Sequence, residues 1–396
     1  MQRLVALMAC TLAGVLGQSA VAKDALISQQ PRILTGHTAE VASVRFSPDG
    51  KTLASGSISE EGSVRLWDLQ TGQVLMDRVP LDSFDRKGSV NCLEFSPDGK
   101  TLAALFSEVF DDNEIALYDT ATRKQRAQID VGRSIDSSMY QLPHPALAGL
   151  GGCGGEGGMA VCPCLAFSPD GTLVASGHGL GPPFSAFRDH AGIWDTEGRL
   201  RGTLPGHSGG WIGVAFLPPY SQSAAQAGTA SSDRRSKNRS RAERVEAASL
   251  LTTDGAGKLR LWNAQGQETA KWNIEPYLRT KDKRIVQHVI VQMAVSPDGK
   301  TVAIAGNSGI ILCLWDLENH KVKRTLSTPV GVMAFSRDGK MLAWNTIYYV
   351  QLWDLEADKL IAKIETDKHF TQCLAFSPDG KTLAVAGAAL SENMRP

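Results

Sequence analysis

The sequence has no excess of charge of either sign: 41 lysines and arginines stand against 41 aspartates and glutamates. That balance removes the global attraction that draws basic chains to nucleic acid or anionic membranes. No nucleic-acid partner is expected. Its N-terminal apolar run, residues 4–16, is too short to span a bilayer comfortably, so no membrane span is expected in the mature chain. Chemistry-bearing patterns are sparse as well. Seven cysteines include no Cys-x-x-Cys pair, and eight histidines include no His-x-x-x-His spacing. A metal site on Cys153, Cys162 and Cys164 would lack a clear fourth ligand. The glycine-rich stretch 149–158 lacks the Gly-Lys-Ser/Thr ending of a phosphate loop, and it precedes a strand rather than a helix. It reads as a connecting loop. No catalytic residue, cofactor or metal is assigned.

What is present begins with an address. Arg3 is a positively charged start, residues 4–16 are the apolar centre, and Ala20-Val21-Ala22 is a small-residue cleavage site. Residues 1–22 therefore read as a signal peptide and the mature chain as residues 23–396, secreted or periplasmic. Cys10 lies in that leader. Cys92, Cys164 and Cys373 each stand three residues before the phenylalanine of a repeat, a shared position that suggests a small buried slot. Cys313 falls inside a strand. Cys153 and Cys162 lie in a loop, where an oxidising compartment permits a bridge between them, or from Cys153 to Cys164.

The organising feature is repetition. Residues 46–54 read Phe-Ser-Pro-Asp-Gly-Lys-Thr-Leu-Ala, and the pattern returns at 95–103, 167–175, 295–303, 335–343 and 376–384. An apolar residue ends one strand, proline sets φ at the second turn position, aspartate bonds its own backbone and glycine accepts positive φ. Arg337 replaces the proline in one copy. About 20 residues on comes an apolar–aromatic–acid mark: Trp67-Asp68, Tyr118-Asp119, Trp194-Asp195, Trp262-Asn263, Trp315-Asp316 and Trp353-Asp354. With Phe216 as a degenerate copy, the Phe46-type positions number seven, and their shortest spacings are 40 and 41 residues. A unit of that length with four strands is a propeller blade.

These marks resemble the WD40-repeat β-propeller family, in the form common among bacterial repeat proteins with Phe-Ser-Pro-Asp-Gly blades. The resemblance covers about residues 31–387, and Gly36-His37 and Gly206-His207 supply the Gly-His that precedes strand a. It implies an all-β, seven-bladed propeller of four-stranded antiparallel blades, the last one incomplete. It also implies a structural hydrogen-bond network of His, Ser/Thr, turn Asp and strand-c Trp. Blade one offers His37, Ser55 and Trp67, with Glu61 where the Asp would fall. Blade four offers His207 and Trp262, with Asp254 displaced by two residues. Trp315 and Trp353 belong to blades without Gly-His, whose stability should rest on apolar packing.

Strand order assigns the ends. The a–b and c–d turns share one end of the ring, and the b–c and d–a loops share the other. Most insertions (residues 57–62, 82–89, 107–113, 132–158, 178–190 and 274–287) fall on the second end, where a binding surface is expected. The exception is residues 219–249 in blade four, expected to be a mobile basic loop containing Arg234, Arg235, Lys237, Arg239, Arg241 and Arg244. The last blade has no third Trp-Asp strand. Residues 25–34 are placed to supply its outer strand while strand c would still be missing. Either the sequence is truncated, that segment pairs directly with strand b, or a partner supplies a strand, and this blade is expected to be the least stable.

The expected function is a non-enzymatic scaffold or adaptor outside the cytoplasm for an unknown protein or peptide partner. Aromatic and arginine anchors on the elaborated face are Phe84, Arg86, Phe110, Tyr140, Phe184, Phe187, Arg188 and Tyr277. Two competing readings are a cell-wall or polysaccharide-binding propeller and a hydrolase using His144, His178, His190 and Asp189.

Overall fold

A computed structural model describes residues 7–11, 32–58, 61–78, 89–107, 114–131, 164–178, 190–208, 212–218, 249–278, 290–306, 311–346, 349–366 and 369–389. Among the described residues the complete elements are strands, apart from a 3-10 turn at Glu275–Tyr277. Blade one runs Val41–Phe46, Thr52–Ser57, Val64–Asp68 and Val74–Arg78 (strands a to d), each antiparallel to the next. Five further four-stranded sheets repeat this meander within residues 89–130, 165–203, 213–273, 290–327 and 333–365.

The remaining four-stranded sheet is of a different make. His369–Phe376 and Thr382–Ala389 are its strands a and b, Leu7–Thr11 takes the third position, and Arg32–Leu34 is the outer strand. The expectation of seven like blades is thus met only in part: six are built from consecutive strands, and the last sheet joins the two ends of the chain. Two details differ from the sequence reading. The outer strand is shorter than residues 25–34, and the third position is filled by residues read as leader. Strand b explains why. Leu383, Ala384, Val385 and Ala386 are all buried, and their backbone would otherwise be an open template for any short apolar segment.

The strands a lie innermost, each against the next, and His369–Phe376 lies against Val41–Phe46. Between neighbouring sheets the buried side chains form discrete clusters. Leu66 and Val90 join blades one and two, Leu117 and Leu165 join two and three, and Cys373 and Ala384 meet Val44 and Leu53 where the composite sheet reaches blade one. Cys92, Cys164, Cys313 and Cys373 are all buried, in line with the small apolar slot expected of three of them.

The a–b turns carry out the chemistry written in Ser-Pro-Asp-Gly. In blade one the Ser47 hydroxyl donates to Asp49 Oδ1 at 2.6 Å, the Lys51 N–H donates to the same oxygen at 3.0 Å, and the Thr52 N–H donates to Ser47 Oγ at 3.0 Å. Gly50 closes the turn at φ 71°, a conformation that costs any L side chain about 1 kcal/mol or more. Each turn also leans on its neighbour. A carbon of Pro48 lies 3.4 Å from where a Cβ of Gly99 would stand; Pro97 does the same at Gly171 (3.5 Å), Pro297 at Gly339 (3.7 Å) and Pro378 at Gly50 (3.5 Å). Gly380 has nothing within 4 Å of that point. Its neighbour in the preceding blade is Arg337, whose Nη1 donates instead to the Pro48 carbonyl at 3.2 Å.

Arg337→Pro would restore the missing contact and restrict the unfolded chain at a position whose sister residues are proline. The expected result in thermal or denaturant unfolding is a gain of about 0.5–1 kcal/mol. A loss of that size would show that the Arg337–Pro48 hydrogen bond outweighs both effects.

Candidate interaction surface

Along the axis, the innermost strands surround a cavity of about 590 Å³ whose lining includes residues of all the sheets. Its charged lining is small: Arg45, Glu94 and Arg337. Arg45 Nε donates to Glu94 Oε2 at 2.9 Å. Burial works against the Arg45 charge, but Glu94 beside it holds the guanidinium pKa above its ordinary value. Cys92 also lines this wall; a hydrogen bond with Cys164 draws its thiol pKa down against the effect of burial. Cys373 is pushed up to about 12 by burial, and so is Cys313 elsewhere in the ring. The one carboxylate of the lining is thus engaged by a guanidinium.

Two polar networks stiffen the opposite end, where the b–c and d–a connections emerge. In blade one the Trp67 indole N–H donates to Ser55 Oγ at 2.7 Å, and Ser55 Oγ meets His37 Nε2 at 2.6 Å. His37 Nδ1 donates to Glu61 Oε1 at 2.9 Å. The backbone N–H groups of Thr38 and Ala39 donate to Glu61 Oε2 at 2.7 and 2.8 Å, and the Ser63 hydroxyl donates to Oε1 at 2.8 Å. Burial alone would raise the Glu61 carboxyl, but the hydrogen bonds from His37, Ala39 and Ser63 hold it well below the usual carboxylate range. Glu61 therefore fills the role left for a turn aspartate.

Blade four departs from the expected network. The Trp262 indole donates to Thr252 Oγ1 at 2.8 Å, and His207 Nε2 meets the same hydroxyl at 2.8 Å. His207 Nδ1 donates to the Leu204 carbonyl at 2.9 Å, not to Asp254. Asp254, displaced in sequence as noted, is fully buried and pairs with Arg260 Nη1 at 2.7 Å. Burial, reinforced by the Arg260 charge, brings His207 down to about 4.

The arginines were missed in the sequence. Arg65 bridges Glu61 and Asp77 at 3.1 Å each, and Arg260 bridges Asp254 and Glu268 at 2.7 and 3.1 Å. Among the strand-c marks Arg-Leu-Trp occurs only in these blades, the two that carry Gly-His, and that pairing was the available signal. Trp315 and Trp353 have no such partners: their buried indole N–H groups find no acceptor among the described residues. They are held by packing, Trp315 against Tyr277 with ring centroids 5.9 Å apart and Trp353 under the Arg324 guanidinium at 5.5 Å.

Tyr277 is the one sequence-proposed anchor among the described residues. It is the last residue of the 3-10 turn, packs on Trp315 and still exposes 46 % of its surface. Phe84, Arg86, Phe110, Tyr140, Phe184, Phe187 and Arg188 lie outside the described residues, as do Cys153, Cys162 and all of 219–249 except Ser249. Of the hydrolase candidates, His178 and His190 stand opposite each other in the register of blade three, while His144 and Asp189 lie outside the described residues. One further spacing was overlooked: residues 206–210 read Gly-His-Ser-Gly-Gly, which satisfies Gly-x-Ser-x-Gly. The segment joins two strands rather than a strand to a helix, and both ring nitrogens of His207 are committed elsewhere. His207 is therefore not available as a base for Ser208.

Because His207 titrates at about 4 when folded and near 6.5 when unfolded, the unfolded chain takes up the extra proton as pH falls through that window. Stability should therefore be full above pH 6.5 and decline towards pH 4, by about 3 kcal/mol at most. Unfolding of His207→Gln followed across the same range should show a slope shallower by about 1.4 kcal/mol per pH unit. Parallel curves for the two proteins would place the pH sensitivity elsewhere.

The family model described as "WD domain, G-beta repeat" matches residues 28–68 and 78–119. The chain is 28 % identical over 142 residues to Periodic tryptophan protein 2 of Arabidopsis thaliana, covering 34 % of this chain and 15 % of that one. It is 32 % identical over 77 residues to Small ribosomal subunit protein RACK1z of the same plant, covering 19 % of this chain and 23 % of that one. It is 59 % identical over 39 residues to Protein Mut11 of Chlamydomonas reinhardtii, 10 % of each. The chain thus spans less than a quarter of the length of these relatives.

Proposed function

We propose that this WD40-repeat β-propeller is a protein-interaction scaffold that works outside the cytoplasm and carries out no chemistry of its own. WD40 propellers are protein-interaction domains, and the ring here has the build of one. One observation carries the reading: the long connections concentrate on a single end. The described strands that flank 79–88, 108–113, 131–164, 179–189 and 274–289 have their joined ends there, whereas the strands of the opposite end are joined by short, uniform turns apart from those that flank 218–248. The His37–Glu61 and His207–Thr252 networks anchor two of the d–a segments at their base, so the end that varies most is seated on fixed geometry. Tyr277, half exposed and braced by Trp315, is the kind of rigid aromatic that anchors a partner. A composite last sheet counted as a seventh blade, the bacterial-type affiliation and export through removal of residues 1–22 belong to the same proposal. Among the described residues no helix is long and apolar enough to cross a membrane.

Capture of partners by the tagged protein from the exported fraction tests this. Wild type is compared with Tyr277→Ala and with a variant in which residues 132–158 are replaced by a short Gly-Ser linker. The expected outcome is a discrete protein partner whose retention drops about tenfold or more in at least one variant. Retention of a soluble glycan in place of a protein, or no dependence on either change, would contradict the scaffold reading. Recovery of the chain only in the cytoplasm, with residues 1–22 still attached, would contradict the location alone.

A further inference from the structure

The composite sheet differs from the six blades at one position. In every blade, the residue of strand c opposite the second residue of strand b is aromatic: Leu53 faces Trp67, Leu102 faces Tyr118, Val174 faces Trp194, and blades four to six repeat the pairing. In the composite sheet Leu383 occupies that strand-b position, and the residue opposite is Cys10. The next position, Asp or Asn in the blades, is Thr11, opposite Thr382. Each blade also has a register shift between strands c and d beside or close to its aromatic; Leu7–Thr11 and Arg32–Leu34 pair without one.

The packing shows the same gap from the side. Clusters at the other junctions each contain the strand-c aromatic: Tyr118, Trp194, Trp262, Trp315, Trp353 or Trp67. At the junction between blade six and the composite sheet, Val332, Val350, Leu352, Leu374, Leu383 and Val385 pack together with no strand-c aromatic among them. The third position of this sheet is therefore the one place in the described ring where strand c brings no aromatic to the junction.

We propose that this position is a strand-accepting site for a partner protein. The site takes an extended segment of pattern apolar–aromatic–Asp/Asn, antiparallel to Thr382–Ala389, with Arg32–Leu34 on its far side. The proposal rests on the export reading, because removal of residues 1–22 takes Leu7–Thr11 away and leaves both flanking strands with unpaired backbone. Strand addition then supplies affinity through main-chain hydrogen bonds. The aromatic side chain supplies selectivity by entering the blade-six junction.

The exported protein is purified, its N-terminus is read by intact mass, and it is titrated with a synthetic peptide carrying residues 347–357 of this chain, which contain Leu352-Trp353-Asp354. Saturable one-to-one binding is expected, with slowed amide exchange across 382–389. The same peptide with Trp353→Ala should bind about tenfold more weakly or worse. Equal binding of the two peptides overturns the proposal. So does absence of binding to a chain whose mass shows residues 1–22 gone. A mass that retains residues 1–22 counts against the export reading on its own. The titration is then run on the full chain carrying Ala9→Pro, which cannot complete the ladder at the third position, and absence of binding there overturns the strand proposal too.

Discussion

Every sheet in this ring is apolar on both faces, and that single fact dictates the rest. Strand c of blade two buries Ile115, Ala116, Leu117 and Tyr118 in succession, so consecutive residues, pointing to opposite faces, both leave water. A sheet of that kind needs a neighbour on each side, and a row of them has two ends that fail the requirement unless they meet. The cluster joining Cys373, Ala375 and Ala384 to Val44, Leu53 and Trp67 is where they meet. Burial at about 25 cal/mol per Å² of apolar surface acts at every junction, whereas turn and network chemistry acts locally.

The polar groups divide accordingly. Where Gly-His and Arg-Leu-Trp coincide, the indole N–H and an imidazole meet at one hydroxyl and an arginine pairs with carboxylates, although Arg65 Nε and Nη1 and Arg260 Nε make no hydrogen bond among the described residues. Where they do not, as at Trp315 and Trp353, the indole N–H stays buried without an acceptor among the described residues, a cost of about 1–3 kcal/mol each that burial of the ring must offset. The two buried networks fix the ends of particular d–a segments, which ties them to the surface proposed to bind as well as to stability.

Much of this was legible in the residues. Ser-Pro-Asp-Gly announces its own turn because every atom that closes it lies within six residues, and the strand-c mark follows at near-constant distance. The role of Glu61 could be placed by position alone. Less legible were features set by residues far apart in sequence. Arg260 reaching Gly206 depends on how blade four folds back on its entry segment, and Arg337 reaching Pro48 on how the ring closes. The last sheet was the hardest case. Apolar residues near an N-terminus carry the same composition whether they serve as a leader or pair with Thr382–Ala389, and only the open edge of that strand favours the second role. The proposed anchors share residue type and a position on long connections, and Tyr277 among them is held by a short 3-10 turn and Trp315.

A platform closed by burial and decorated at one end suits recognition, since loops can vary without disturbing the junctions beneath them. Closure itself is open to direct measurement. Spin labels introduced through noncanonical residues at 51, 100 and 381 occupy equivalent places in the turns of blade one, blade two and the composite sheet. Pulsed dipolar spectroscopy should give the same narrow distance distribution for the pair 51 and 381 as for the neighbouring pair 51 and 100. A longer or broad distribution for 51 and 381, with 51 and 100 unchanged, would show that the ring does not close.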